Sequence, residues 1–442
     1  MLKKLLAQPQ LEMYKTVLTS FINPQHELCL LAKEINWEYL EKEFEALYGE
    51  VERSSILIRT IVGLLLLKQV YDLGDETVMD MCIDSSYFQH FCGEVYFQYE
   101  YPFDPSDFVH FRNRIGEGGM EKIFKQSVDL FDKERIRKEA KEVRADTTVQ
   151  EKNITFPMDR KLTEKVIEHC KRLAKKEGIK LTHTYGREVK KLNHQLRFAR
   201  KPKNMNNMRK TQRRLHRIAF KIYLDLIKRI NPIPIKYMEE LDVLYRVLTQ
   251  KRDDTNKVYS FHEQEVLCIA KGKEHKSCEF GNKSSFAYTR ASGIIVGAMA
   301  IEENIYDGRT LKPQLDQVEE LTGGKVKKAI VDRGYKVKGG LPGIDIVMPK
   351  NLKRESYYLK KKREERCRSR AGIEGLISHL KHDLRLLRNY LSGTAGDQIN
   401  TLLAAAAYNM KKWMKLEKQK ILELIFIWIY QRLILTPVKI QR

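Results

Sequence analysis

The chain has 442 residues, of which 42% are hydrophobic, and Lys and Arg outnumber Asp and Glu by 81 to 58. This length and apolar content support two or three folded domains and exclude a chain that is disordered throughout. A net charge of +23 favours an anionic partner, of which nucleic acid is the commonest, with an anionic membrane surface as the alternative.

The first 135 residues have helical spacing. Apolar residues recur every three to four positions in residues 24–49 and 54–93, with a turn at Gly74. A third, short basic helix, FVHFRNRIGEGG, is predicted to begin after Ser106 or Asp107 and to end at its glycines. Such an arrangement is typical of a helix-turn-helix domain whose last helix enters the DNA major groove. A helical bundle without DNA contact is the alternative.

The character of the sequence changes at Glu142. A β-rich segment, EVRADTTVQ, carries Asp146 after a short apolar run, and a basic helical segment follows it. From Arg160 to Ile230 there are 23 Lys or Arg against 5 Asp or Glu, so this stretch carries +18 of the total charge of +23. Its apolar residues keep a spacing of three to four. We interpret residues 160–255 as a basic helical insertion.

Strand patterns return after the insertion, in KVYSFH, EVLCIAKGK and FAYTRASGIIVGAMAIEEN. A helix, LKPQLDQVEELTGG, leads into the strand KKAIVDRG, which ends at Asp332, and GIDIVMP is a further strand. Strands mixed with helices in this order predict an α+β fold with a mixed sheet covered by helices. Locally, Asp332 could be either a turn former or a metal ligand.

The segment ERCRSRAGIEGLISHLKHDLRLLRNYL predicts one long helix. Arg370, Glu374, Lys381 and Arg385 fall within about 60° of each other around its axis, beside an apolar stripe. A surface pair between Arg370 and Glu374 is the simple explanation. However, a stripe of cations with a single acid indicates an external anion.

Asp146, Asp332 and Glu374 are together the carboxylates that two-metal phosphoryl transfer requires. Mg²⁺ prefers carboxylate oxygens, and two such ions can activate the attacking oxygen and stabilise the leaving one. The adjacent cations would hold the scissile strand. No glycine-rich phosphate loop is present, so we expect no nucleotide cofactor.

With these motifs, the sequence resembles the DDE transposases of the bacterial insertion-sequence-four and -five groups, from about Pro24 to Trp413. RADTTVQ looks like the first Asp motif and VDRGY like the second. The third motif of the family is Tyr, two residues, Arg, three residues, Glu, six residues, Lys. Arg370, Glu374 and Lys381 match it with the right gaps, whereas Cys367 stands where the Tyr is expected.

The resemblance implies a ribonuclease H-like catalytic domain over residues 136–415, with a helix-turn-helix domain over 1–135. It implies two Mg²⁺ or Mn²⁺ ions held by Asp146, Asp332 and Glu374, with DNA contacts from Arg370, Lys381, Arg385 and Arg333. The expected activity is cleavage of DNA ends at terminal inverted repeats, followed by joining to target DNA. Because two ends must be joined, at least a dimer on DNA is expected.

Two alternative functions remain open: a DNA-binding regulator that has lost catalysis, and a metal-dependent nuclease that cleaves without joining. Residues 416–442 extend past the resemblance and have no assigned role. Their apolar run, ILELIFIWIYQRLIL, is too short to span a bilayer and contains Glu423 and Arg432. The N-terminus lacks the apolar stretch of a signal peptide, and the scattered seven cysteines fit a reducing compartment. We therefore expect a cytoplasmic, nucleoid-associated protein.

Overall fold

The computed structural model describes residues 16–45, 47, 56–197, 205–251, 253–273, 276–335, 340–349, 356–369 and 372–435. The chain divides into two compact units. We call Met1–Glu151 with Asn282–Arg442 the sheet unit, and Lys152–Gly281 the basic unit. A helical region precedes a mixed sheet along the chain, which confirms the predicted α+β class.

Helices make up the N-terminal part of the sheet unit. They are α1 (Glu27–Glu34), α2 (Trp37–Glu45), α3 (Ile58–Val70), α4 (Asp75–Asp84), α5 (Ser86–Phe91), α6 (Asp107–Asp129) and α7 (Lys133–Glu139). Helix α3 is apolar on all sides and is buried from Thr60 to Val70, as expected of a helix that other helices surround.

One hydrophobic core joins these helices to the sheet. Buried members include Leu65 of α3, Phe124 of α6, Ala145 and Val296 of the strands described below, and Leu403 near the C-terminus. A separate DNA-binding domain over residues 1–135 stays a prediction; in the structure these residues share their core with the sheet.

Helix α6 is kinked where the sequence predicts that a short helix ends. Gly116 has positive φ (56°) and is not helical, so two helical parts meet there: the first ends at this glycine, as predicted, and the second continues to Asp129. Met120, Ile123 and Phe124 of the second part are buried in the core, and packing of this apolar face stabilises it.

A buried ion cluster ties α3, α4 and α6 together. Asp75, the first residue of α4, accepts from Lys68 Nζ at 2.5 Å and from both terminal nitrogens of Arg112 at 3.2 and 3.0 Å. Burial opposes ionisation, yet the bonds from Arg112 and Lys68 outweigh it and lower the pKa of Asp75. Arg112 is 4% exposed, so this arginine of the predicted DNA-reading helix belongs to the core.

Replacing Asp75 by Asn should destabilise the protein by about 3–5 kcal/mol, because two buried cations would lose their counter-ion. Asp316→Asn is the matched control: Asp316 pairs with Lys312 on an exposed helix surface, where the expected cost is below about 1 kcal/mol. Thermal unfolding of the three proteins measures both effects.

The difference in stability between the parent and Asp75→Asn should also depend on pH. The pKa of Asp75 is lower in the folded state, so its contribution is present above the unfolded pKa of about 3.9 and is lost as pH falls through the folded value. The difference between parent and Asp75→Asn should shrink below about pH 4. A difference that stays constant down to the lowest pH of stable folding would contradict the assignment.

A seven-stranded sheet follows α7. Its strands are β1 (Glu142–Lys152), β2 (Leu267–Lys273), β3 (Lys276–Thr289), β4 (Ile295–Ile301), β5 (Lys328–Ile330), β6 (Asp345–Val347) and β7 (Arg388–Asn389). The order is β2-β3-β1-β5-β6, with β4 also pairing with β3 and β7 with β1. Strands β1, β5 and β6 are parallel, whereas β3 runs antiparallel to both β2 and β4.

The C-terminal half of the sheet unit contains α12 (Asp307–Thr322), α13 (Tyr357–Ser369), α14 (Gly372–Asp383) and α15 (Gly393–Leu435). The long helix predicted for residues 365–391 is wrong at its C-terminal end, because α14 ends at Asp383 and Arg388–Asn389 form β7; residues 370 and 371 lie outside the described ranges. Helix α15 includes most of the tail that follows residue 415. Within the described ranges, no helix is both long and apolar enough to cross a membrane.

A buried polar network holds β1 against α15. Asp397, 1% exposed, accepts from Asn389 at 2.7 Å and from Asn282 at 2.6 Å. Gln150 of β1 donates to the Asp397 carbonyl at 3.0 Å and accepts from Asn400 at 3.0 Å. Buried polar groups that satisfy one another permit few other arrangements, so this network sets the position of β1.

The basic unit contains α8 (Asp159–Lys176), α9 (Gly186–Arg197), α10 (Met205–Arg229) and α11 (Ile235–Thr249), together with β2 and the first part of β3. Apolar faces of its helices form a second core that includes Val166, Leu215 and Leu244. The strand predicted at KVYSFH is wrong: these residues form an irregular segment, held where the Gln250 side chain bonds both backbone groups of Val258.

Candidate active site

The pairing of β1 with β5 brings two predicted site residues to the same level. The register joins Glu142 to Lys328, Val143 to Ala329 and Arg144 to Ile330. Asp146 and Asp332 each lie two residues beyond the last of these pairs. Because the strands are parallel, both carboxylates lie at the same level of the sheet, just past the end of β5 and part-way along β1, which continues to Lys152 and so does not end at Asp146 as the sequence predicts.

Asp332 forms a turn as well as ending a strand. Its Oδ1 accepts a bond from the Gly334 N–H at 2.6 Å, the pattern of an Asx turn. A Cβ on Gly334 would lie 2.7 Å from that oxygen, so glycine is required for this close approach. Asp146 makes a similar local bond, from the Thr147 N–H to Oδ1 at 2.9 Å.

Tyr335 lies close to these carboxylates, and the sequence analysis assigned it no role. Its side chain is fully buried, and its hydroxyl oxygen has no hydrogen-bond partner among the described atoms. Burial, with the negative charges of Asp146, Asp307 and Asp332, raises its pKa well above the usual value, although the nearby Thr147 side chain opposes this. The hydroxyl therefore keeps its proton. The sequence signal that could have identified Tyr335 is its position three residues after Asp332.

Contacts from α13 and α14 place the third motif beside β1. Arg366 Nε donates to Glu142 Oε1 at 3.0 Å near the start of the strand. Further along, a Cβ on Gly372 would lie 3.8 Å from Arg144 Nη1. Glu374 follows two residues later, in the first turn of α14, and its side chain is exposed. The first turn of α14 thus begins beside the strand that carries Asp146.

The two aspartates suit a hard divalent cation. Their oxygens are the donors that Mg²⁺ and Mn²⁺ prefer. The two residues lie at the same level of the sheet. Across the described part of the chain, however, no three His, Cys, Asp or Glu side chains come together to hold a metal ion. The structure therefore brings Asp146 and Asp332 together and leaves Glu374 outside such a group.

The predicted phosphate-binding cations have different surroundings. Arg333 is exposed, and its Nε donates to the Pro349 carbonyl at 3.0 Å. Lys381 lies in the last turn of α14, seven residues after Glu374 and so on the same helix face. Arg370 lies outside the described residues.

Arg385 is not on the helix face that the sequence predicts. It follows the end of α14 with positive φ (60°), and its guanidinium donates to Asp72 Oδ1 at 3.3 Å and to the Asp72 carbonyl at 3.1 Å. Gln69 of α3 also donates to the Leu384 carbonyl at 2.7 Å. The helix stops here because these contacts bind the chain to the turn between α3 and α4.

Comparisons with known proteins identify the family of this chain. Residues 16–114 match the family model described as a transposase domain (DUF772), and residues 249–410 match the model described as a transposase DDE domain. This chain belongs to the insertion-sequence DDE transposase family. The family identity predicted from the sequence is thereby confirmed.

A curated relative, "Uncharacterized protein ORF8 in nfe locus" of Rhizobium meliloti, is 38% identical over 182 residues, which cover 41% of this transposase and 88% of the relative. No solved structure matches the chain. Asp332, Glu374, Lys381 and Arg385 lie within the matched DDE segment, whereas Asp146 lies between the two matched segments. The predicted role of Asp146 therefore rests on its sequence motif and on the pairing of β1 with β5.

Substituting Phe for Tyr335 should stabilise the transposase by about 1 kcal/mol in buffer with a metal chelator, because a buried hydroxyl without a partner is costly. Tyr237→Phe provides a control of opposite sign, since its hydroxyl donates to Glu177 Oε1 at 2.7 Å and its loss should cost about 1 kcal/mol. Chemical denaturation measures both changes. Destabilisation by Tyr335→Phe would mean that the hydroxyl has a partner.

Proposed function

We propose that this transposase binds the terminal inverted repeats of an insertion sequence, cuts the DNA ends by metal-dependent hydrolysis and joins them to target DNA. The observation that carries the proposal is the register of β1 and β5, in which Asp146 and Asp332 each lie two residues past the last pair and so at the same level of the sheet. Membership of a family that acts on DNA supplies the substrate class.

Asp146, Asp332 and Glu374 would hold two Mg²⁺ or Mn²⁺ ions. Such ions supply activation of the attacking oxygen and charge stabilisation of the leaving one. For Glu374 to take part, the exposed first turn of α14 must approach the edge of β1 when DNA and metal bind. The short distance between Gly372 and the Arg144 side chain supports this role, because the start of α14 lies near that strand.

Lys381, Arg333, Arg370 and Arg385 are proposed to contact phosphates of the scissile strand. Arg333 and Lys381 are the stronger members, because one is exposed beside Asp332 and the other shares the face of Glu374. Arg385 would have to exchange Asp72 for a phosphate. Its contribution is therefore expected to be smaller.

The N-terminal helices are proposed to recognise the inverted repeats as a helix-turn-helix. With Arg112 buried against Asp75, base contacts would come from exposed residues of the same helix, Val109, His110, Asn113 and Arg114. The joining of two ends requires at least a dimer on DNA, and a DNA substrate in bacteria implies association with the cytoplasmic nucleoid.

Strand transfer tests the proposal. Purified parent protein, incubated with Mg²⁺ and a DNA fragment that carries the ends of the element, should give cleaved and joined products. Asp332→Ala should reduce both products to background while end binding survives, because a metal ligand is lost and the DNA surface is kept. Asp345→Ala, an exposed aspartate on the neighbouring strand β6, is the matched control and should stay active.

The two alternatives give other results in the same assay. A regulator would bind the ends tightly and cleave in neither Mg²⁺ nor Mn²⁺, whereas a simple nuclease would cleave without forming joined products. Either result with the parent protein would overturn the proposed function.

Lys381→Ala is expected to lower the cleavage rate about tenfold, equivalent to about 1.4 kcal/mol, because a phosphate contact is lost. Binding of Mn²⁺, followed by calorimetry, should be unchanged. His382→Ala serves as a control, since His382 is the exposed neighbour on another face of α14. Unchanged cleavage by Lys381→Ala would remove Lys381 from the site.

A further inference from the structure

A groove of about 960 Å³ opens within the basic unit, between α8, α10 and the segment that follows α11. Its charged lining consists of Arg213, Arg217, Lys251, Lys257 and the single acid Asp159. This concentration of positive charge lies in a part of the chain that neither family match covers, apart from residues 249–281. We call it the cationic groove.

The polar floor of the groove is held in place by internal bonds. His216 Nε2 donates to the Leu248 carbonyl at 2.8 Å. The Gln250 side chain accepts from the Val258 N–H at 2.8 Å and donates to its carbonyl at 3.2 Å. These bonds join α10 to the end of α11 and to the following segment, so the groove exists before any ligand binds.

The arginines of this unit fall into two groups. Arg214 bonds Glu188 at 2.6 Å and Arg229 bonds Asp225 at 2.8 Å, so these two stabilise the helices. Arg213 and Arg217, by contrast, are exposed on one face of α10, one turn apart, and neither has an ion pair with any described residue. These two exposed guanidinium groups are therefore available to bind an anion that enters the groove.

The remaining lining indicates which anion fits. Apolar side chains contribute little, chiefly Leu162 and Val247, and the described lining residues include no Phe, Tyr or Trp ring on which a base could stack; the imidazole of His216 is bonded to the Leu248 carbonyl. The volume is at the upper end of small-molecule pockets, about 300–1,000 Å³, and the groove is open to solvent. Such a surface suits the phosphates of a polymer and not its bases.

We propose that the cationic groove binds the phosphate backbone of duplex DNA, independently of its sequence, through Arg213 and Arg217. The proposal rests on the proposed function, because that function supplies DNA as the substrate. It adds a second DNA-binding surface in the insertion. Guanidinium groups suit this role, since each can donate two bonds to one phosphate.

The test measures binding alone. A fluorescently labelled duplex of mixed sequence is titrated with full-length protein in EDTA, and the affinity is followed by anisotropy over a range of salt concentrations. Arg213→Gln with Arg217→Gln should weaken binding about tenfold or more and reduce the slope of log affinity against log salt by about 1.8, or 0.9 for each lost phosphate contact.

Two further variants separate charge, hydrogen bonding and position. Lys175→Gln with Lys176→Gln removes equal charge from exposed positions at the end of α8, outside the groove, and should leave the slope close to that of the parent. Arg213→Lys with Arg217→Lys keeps the charge, so it should keep the salt slope while losing part of the affinity. Circular dichroism establishes that each variant is folded.

Equal affinity and slope for the parent and the Gln double variant would overturn the groove proposal. The proposed function would stand in that case, because strand transfer is assayed separately. An equal loss in the Lys175 and Lys176 variant would also overturn it, since total charge and not the groove would then control binding. Failure of the parent to bind any duplex would overturn both proposals.

Discussion

The parallel pairing of β1 with β5 is the constraint on which the candidate active site depends. A shift of one residue would turn one aspartate to the other face of the sheet. The buried network of Asp397, Asn282, Asn389 and Gln150 fixes β1 against α15. At the other end of the strand, Glu142 accepts from Arg290 and Arg366. The core is thus the source of the precision that metal-dependent chemistry needs.

Buried polar atoms without partners lie near this same edge. The Tyr335 hydroxyl and Arg144 Nε are both buried and unsatisfied within the described atoms. Groups of this kind cost stability, and proteins retain them mainly at functional sites. Arg144 precedes Asp146 on β1, and Tyr335 follows Asp332 in the second motif. The residues whose unsatisfied groups cost stability are therefore those next to Asp146 and Asp332.

The positive charge of the chain has two separate uses. Arg112 and Arg385 contact Asp75 and Asp72 and hold the N-terminal helices and the end of α14. Arg213 and Arg217 face a preformed groove and have no ion pair with any residue that the structure describes. In sequence all four are arginines in basic helical segments. What distinguishes them is the presence of a carboxylate from a distant part of the chain.

The sequence by itself determined the α+β class, the strand that carries Asp146, the strand end that carries Asp332, and the family, because periodicity and motif spacing are local properties. The tertiary structure decided the rest. It packed a second helical part of α6 after Gly116 into the core, extended β1 six residues past Asp146, ended α14 before Arg385, placed Tyr335 close to the carboxylates and left Glu374 exposed. Each of these outcomes depends on packing or hydrogen bonding between residues far apart in the chain, and local patterns carry no information about such contacts.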